Sequence, residues 1–119
     1  MPEKEQVLII DDDPMISGAL GALLRADGFE VRCCVDGESA LNAVRGKCYR
    51  VVITDYRMPG MNGADVTRLL RAHCPHAFIL GLSAEQKGGD FLEAGANAFL
   101  SKPFKPDELM SLVRTSLTN

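Results

Sequence analysis

The sequence lacks the features that would take it to a nucleic acid or into a membrane. It has no basic run: 13 Lys and Arg stand against 16 Asp and Glu, a formal net charge of −3. Such a chain cannot build the electrostatic footprint that binding to polyphosphate requires, so direct contact with nucleic acid is not expected. Long apolar runs are missing too. Stretches such as Val7-Leu8-Ile9-Ile10 fall far short of the roughly 20 residues that span a bilayer, which argues against a membrane role. The opening Met1-Pro2-Glu3-Lys4-Glu5 is polar rather than signal-like, and the chain reads as cytoplasmic. Among Cys33, Cys34, Cys48 and Cys74 no CxxC spacing occurs, and adjacent Cys33 and Cys34 would point to opposite faces of a strand. In that compartment all four are expected to be reduced structural thiols. Repeats, linkers and low-complexity segments are absent.

What is there is an ordinary globular composition, 46% hydrophobic and 24% charged, on 119 residues. That length suits one domain, residues 1–119 with a core over about 6–118, and no second core. Strand-length apolar runs alternate with stretches of helical period, the pattern of a parallel sheet. The strands expected are Gln6 to Asp11, Phe29 to Cys34, Arg50 to Asp55, Ala77 to Leu82 and Ala96 to Ser101. Continuous apolar runs such as Val51-Val52-Ile53 fit strands covered on both faces. Helix faces follow from Ile16, Leu20, Leu23 and Leu24, from Leu41 and Val44, from Val66, Leu69, Leu70 and His73, and from Leu109, Leu112, Val113 and Leu117. Pro14 suits a first helical turn, Asp36 or Ser39 a helix cap, and Gly28 a left-handed helix exit. The α/β class, with a doubly wound five-stranded parallel sheet in the flavodoxin-like order 2-1-3-4-5 and five helices, is the economical arrangement.

In such a sheet the functional site lies beyond the carboxyl ends of the strands. There the sequence places Asp11-Asp12-Asp13, Asp55, Ser83 and Lys102-Pro103. With the first strand beside the third, Asp11, Asp12 and Asp55 converge, and three crowded carboxylates call for a cation. Oxygen-only ligation favours Mg²⁺ over zinc. Lys102 adds a positive charge and Ser83 a hydroxyl, so the group is suited to holding a phosphoryl, with Asp55 as the nucleophile forming an acyl phosphate. Asp13, beside Pro14, reads as a helix N-terminal acid rather than a ligand. His73 and His76 read as structural rather than as phosphodonors or metal ligands.

Four stretches in order, Val7-Leu8-Ile9-Ile10-Asp11-Asp12-Asp13-Pro14, Val52 to Gly63 around Asp55, Leu82-Ser83-Ala84, and Gly95 to Phe104 ending in Ser101-Lys102-Pro103-Phe104, resemble the receiver domain of two-component response regulators. The likeness runs from about Gln6 to Leu117. It implies that Asp55 accepts a phosphoryl group from a phosphohistidine, with Asp11, Asp12, Asp55 and the backbone carbonyl of Arg57 organising Mg²⁺. It implies that Ser83 turns toward the phosphoryl, that Phe99 swings inward when that hydroxyl moves, that Lys102 contacts the phosphoryl, and that Pro103 follows through a cis bond. The expected partners are a sensor histidine kinase or histidine phosphotransfer protein and a downstream effector or an output domain outside this chain, with a homodimer on phosphorylation as a further one. The role is that of a signalling phosphoacceptor that assists its own phosphorylation and dephosphorylation, not of an enzyme.

Two departures from the family pattern stand out. The span from Ser83 to Lys102 is short by roughly one helical turn, about 3.6 residues, and contains Gly88-Gly89, so the fourth helix should be short, displaced or partly unwound. Phe99 stands where a Tyr is common and lacks its hydroxyl. Arg57 and Glu85 flank the site, where they could meet an attacking water. A rival reading takes Asp11-x-Asp13 as the opening motif of a haloacid-dehalogenase-like phosphatase using Asp11, but Met15 replaces the usual Thr and Asp55 would then have no role. A nucleotide or flavin domain lacks its glycine motifs. A receiver-like scaffold that is never phosphorylated would leave the acidic set unexplained.

Overall fold

The computed structural model describes residues 4–118. Five strands and five helices alternate along the chain: β1 (Gln6–Ile10), α1 (Pro14–Ala26), β2 (Glu30–Cys34), α2 (Gly37–Ala43), β3 (Val51–Asp55), α3 (Gly63–His73), β4 (Phe78–Ser83), α4 (Gly88–Ala94), β5 (Ala98–Ser101) and α5 (Pro106–Ser116). The strands form one sheet in the order β2-β1-β3-β4-β5, every pair parallel. The strands expected from the sequence are all present, each shifted by at most two residues at an end. Among the described residues no helix is long and apolar enough to cross a membrane.

Strand alternation sorts the core into two layers. Leu8, Ile10 and Val52 point to one face and meet Ala40 of α2, Val66 and Leu70 of α3 and Phe91 of α4. Val7, Ile9, Val51 and Ile53 point to the other and meet Leu20 and Leu24 of α1 and Leu109 and Val113 of α5. Since both sides of β3 are covered, all five of its residues are buried, and its run can be apolar throughout.

Short polar side chains set where the helices start. Asp13 caps α1 by accepting the Met15 N–H at 2.9 Å, with Pro14 opening the helix, so its acid serves the turn as expected. Asp36 accepts the Ser39 N–H at 2.8 Å and Asn62 the Asp65 N–H at 2.9 Å. Gly28 leaves α1 with φ +94°, a conformation that a side chain would strain. Two helix faces are narrower than their periodicity suggests: Leu69 and His73 of α3 are exposed, and Leu23 of α1 is partly so.

The cysteines require a correction. Cys48 and Cys74 form a disulfide, while Cys33, exposed, and Cys34, buried, are free. A separation of 26 residues hides the pairing in the sequence. In a βα unit, however, the helix returns antiparallel to its strand, so the chain just before β3 and the residue after α3 come to the same end of the sheet. The lack of a CxxC spacing says nothing about that proximity.

Candidate phosphoryl-accepting site

The carboxyl ends of β1, β3, β4 and β5 bring the functional side chains to one edge. Asp11 follows β1, Asp55 ends β3, Ser83 ends β4, and Lys102 follows β5. The backbone locks this register: Tyr56 N–H donates to the Leu82 carbonyl at 2.9 Å and Lys102 N–H to the Ser83 carbonyl at 2.8 Å. The Lys102–Pro103 peptide bond is cis.

The Lys102 ammonium lies 2.9 Å from Asp55 Oδ1 and 3.9 Å from Asp11 Oδ2, bridging the two strand ends. Carboxylate oxygens of Asp11, Asp12 and Asp55 all lie within 4.8 Å of one another. Asp11 is only 2% exposed. Its Oδ1 accepts the Asp13 N–H at 2.9 Å, whereas its Oδ2 is buried with no hydrogen-bond partner among the described residues. Burial first, and then the neighbouring Asp55 charge, push the Asp11 carboxyl above the ordinary carboxylate range, against the pull of the Asp13 N–H and of Lys102. A buried acceptor without a partner, facing two further carboxylates, is a costly arrangement that a hard divalent cation relieves. The residues present fit Mg²⁺.

The strain of that arrangement is testable. A folded-state value above the unfolded one means that the fold favours protonated Asp11, so stability is lost as pH rises through the window between the two. Asp11→Asn removes the charge and keeps the acceptor for Asp13. In Mg²⁺-free buffer at neutral pH it should stabilise the chain by about 1 kcal/mol, and the gain should vanish at acid pH. Thermal unfolding with and without Mg²⁺ checks both points, because added Mg²⁺ should stabilise the wild type more than the variant.

Ser83 is buried, and its Oγ accepts the Glu85 N–H at 2.9 Å. That bond closes a local turn and is not a cap, since α4 begins later, at Gly88. The hydroxyl proton is left to donate elsewhere. Phe99 is 41% exposed and lies outward on β5. Its ring rests on Gly88, where a Cβ would collide with it. The short fourth helix expected from the sequence is there, at 7 residues, and Gly88-Gly89 opens it rather than interrupting its interior.

Two links across the site were not legible in the sequence as pairs. Arg57 and Glu85 form a two-pronged ion pair, with Nη2 to Oε2 at 2.8 Å, tying the loop after β3 to the loop after β4. The Arg57 hydrogen bonds hold Glu85 below the ordinary carboxylate range, but the pair is exposed and adds little to stability. Tyr56 is buried, packs edge-on against Phe91 at 5.7 Å between ring centres, and donates its hydroxyl to Asp90 Oδ2 at 3.3 Å. Residues 56 and 90 lie too far apart in the chain for spacing to signal their contact.

The response regulator receiver domain family matches residues 7–114, nearly the whole chain. This chain belongs to that family. Among curated relatives, the DNA-binding response regulator MtrA of Mycolicibacterium smegmatis is 40% identical over 117 residues, covering 96% of this chain and 51% of its own length. The response regulator protein TmoT of Ectopseudomonas mendocina is 36% identical over 121 residues, covering 98% of this chain and 55% of its own. The chain thus spans about half the length of the curated relatives it matches. Among solved structures, the response regulator TrrA of Thermotoga maritima in complex with Mg²⁺ and BeF superimposes with a TM-score of 0.88 at 32% identity, covering 95% of this chain and 99% of that one. A response regulator from Chloroflexus aurantiacus gives 0.91 at 33% identity, covering 98% and 100%. The receiver fold and family stand on these matches, and neither the phosphatase nor the scaffold reading finds support in them.

Proposed function

We propose that residues 1–119 act as one receiver domain in which Asp55 accepts a phosphoryl group from a phosphohistidine on a sensor histidine kinase or a histidine phosphotransfer protein. The observation that carries this reading is the Lys102 ammonium between Asp55 and Asp11, with Asp11 Oδ2 buried and given no hydrogen bond among the described residues. Lys102 occupies one Asp55 oxygen, leaving the other to attack phosphorus. The new bond is the oxygen–phosphorus bond of an acyl phosphate, a mixed anhydride. The bond that breaks joins phosphorus to the imidazole nitrogen, and the donor ring, protonated on its other nitrogen, leaves as neutral imidazole. Asp11, Asp12, Asp55 and the Arg57 carbonyl would hold Mg²⁺, whose bound charge offsets the anionic oxygens gathered there. Lys102 can then contact a phosphoryl oxygen.

The added group carries about −1.5 to −2 charge, which biases conformation only through contacts that differ between states. Ser83 supplies one such contact by turning its hydroxyl to the phosphoryl, and Phe99 follows by leaving Gly88 for the space vacated inside. The surface of α4, β5 and α5 changes shape as a result, and that change is what a downstream effector or an output domain reads. Homodimerisation on phosphorylation is a second use of the same surface. The chain itself touches neither nucleic acid nor membrane and works in the cytoplasm as a phosphoacceptor, assisting its own phosphorylation and dephosphorylation.

Incubation with a small acyl phosphate donor and Mg²⁺, followed by intact mass measurement, tests this reading. One phosphoryl group per chain is expected, and none when Mg²⁺ is withheld by a chelator. An unchanged mass with Mg²⁺ present refutes it in favour of a scaffold.

A further inference from the structure

A second cluster of ligating side chains lies at the other end of the sheet from the carboxylates. The sulfurs of Cys48 and Cys74 and one ring nitrogen of His73 all lie within 4.8 Å of one another. Cys48 comes just before β3, and His73 and Cys74 end and follow α3. His73 Nε2 lies 3.0 Å from the Val44 carbonyl oxygen, an acceptor, so Nε2 is the donor in that bond. An imidazole that binds a metal is commonly fixed in this way, donating its other N–H to a backbone carbonyl. Cys48 and His73 are exposed, and an open cavity of about 280 Å³, lined by Cys48, Cys74, Pro75 and His76 among others, adjoins the sulfurs. An ion has an approach to the two sulfurs. The 5.7 Å between the two Cα atoms accommodates the present disulfide, and it also lets two separated sulfurs reach a single ion at about 2.3 Å each.

We propose that, when the Cys48–Cys74 bond is reduced, Cys48, His73 and Cys74 form a zinc-binding site. A dithiol reductant passes two electrons and two protons to the sulfurs, the S–S bond breaks, and the reductant leaves as its own disulfide. Zinc then takes both sulfurs as thiolates, releasing their two protons to water, and takes a ring nitrogen of His73 as the third donor. Two thiolates and an imidazole are soft and borderline donors that select Zn²⁺ over the hard cation suited to the carboxylates. Bond and ion compete for the same two sulfurs, so the site reports redox state through metal occupancy. The imidazole read from the sequence as structural becomes a ligand.

The test uses the full chain with excess Mg²⁺, so that the acidic cluster does not compete, and a metal-free phosphine as reductant. Cobalt(II) is added to the reduced protein and then displaced by zinc. One equivalent of cobalt should produce a thiolate-to-cobalt charge-transfer band that zinc removes, and the oxidised protein should stay silent. Replacing Cys33 and Cys34 together by Ser should leave the band intact. Cys48→Ser should abolish it, and since reduced wild type also lacks the disulfide, the two proteins compare without a difference in cross-linking. His73→Gln should weaken zinc binding at least about tenfold. A band that persists in Cys48→Ser, a band that depends on Cys33 or Cys34, equal zinc affinity in oxidised and reduced protein, or full affinity in His73→Gln would each overturn the site.

Discussion

With Asp55 replaced by asparagine, the chain should take up no phosphoryl group from an acyl phosphate or from a phosphohistidine donor, and its mass should stay unchanged by either. The amide has almost the shape of the carboxylate but lacks the charge that makes an oxygen attack phosphorus. No neighbour can take over. Asp11 is nearly sealed, with one oxygen held by the Asp13 N–H and the other buried. Asp12 is exposed but follows β1 rather than ending β3, so Lys102 does not pin it beside the site as it pins Asp55. The loss should therefore be complete rather than partial. The variant should also fold, because the change removes one of the crowded charges, and circular dichroism alongside the mass measurement separates lost chemistry from lost structure. Label that survived in the variant would place the nucleophile elsewhere, as the phosphatase reading with Asp11 requires.

Opening the Cys48–Cys74 disulfide should have the largest effect on stability. The bond closes a 26-residue separation that contains β3, the loop after Asp55 and all of α3. Restricting an unfolded loop of that size is worth about 3 kcal/mol, or roughly a 10 °C change in Tm for a chain of this length. Calorimetry with and without a phosphine reductant, in the presence of a zinc chelator, measures it. The Cys33 and Cys34 thiols, being free, should contribute nothing to the difference. A shift of only a degree or two would mean that packing alone holds α3 against the sheet.

Most of the architecture could be read from the sequence because it rests on local and periodic signals. Buried strands such as Val7 to Ile10 announce themselves as short unbroken apolar runs, and Asp13-Pro14 and Asp36 mark helix starts through bonds to residues two or three positions on. The site was legible for a related reason: a parallel sheet gathers its strand ends, so Asp11, Asp55, Ser83 and Lys102 could be placed together once the strand order was known. What stayed hidden depends on which side chains meet across the fold. The disulfide, the Arg57–Glu85 pair and the Tyr56–Asp90 hydrogen bond each join distant segments, and no period or motif encodes them. The α3 stripe failed in the opposite sense. Leu69 and His73 keep the helical period but flank the buried stripe of Gly63, Ala64, Val66, Thr67 and Leu70, Leu69 on its edge and His73 in the last turn, so both face solvent.

The contact between Phe99 and Gly88 makes those two positions rivals for one volume. The ring can rest where it does because residue 88 has no methyl group to occupy that place. A side chain added at position 88 would meet that ring and have to displace it, so the size of one residue sets where the other can rest.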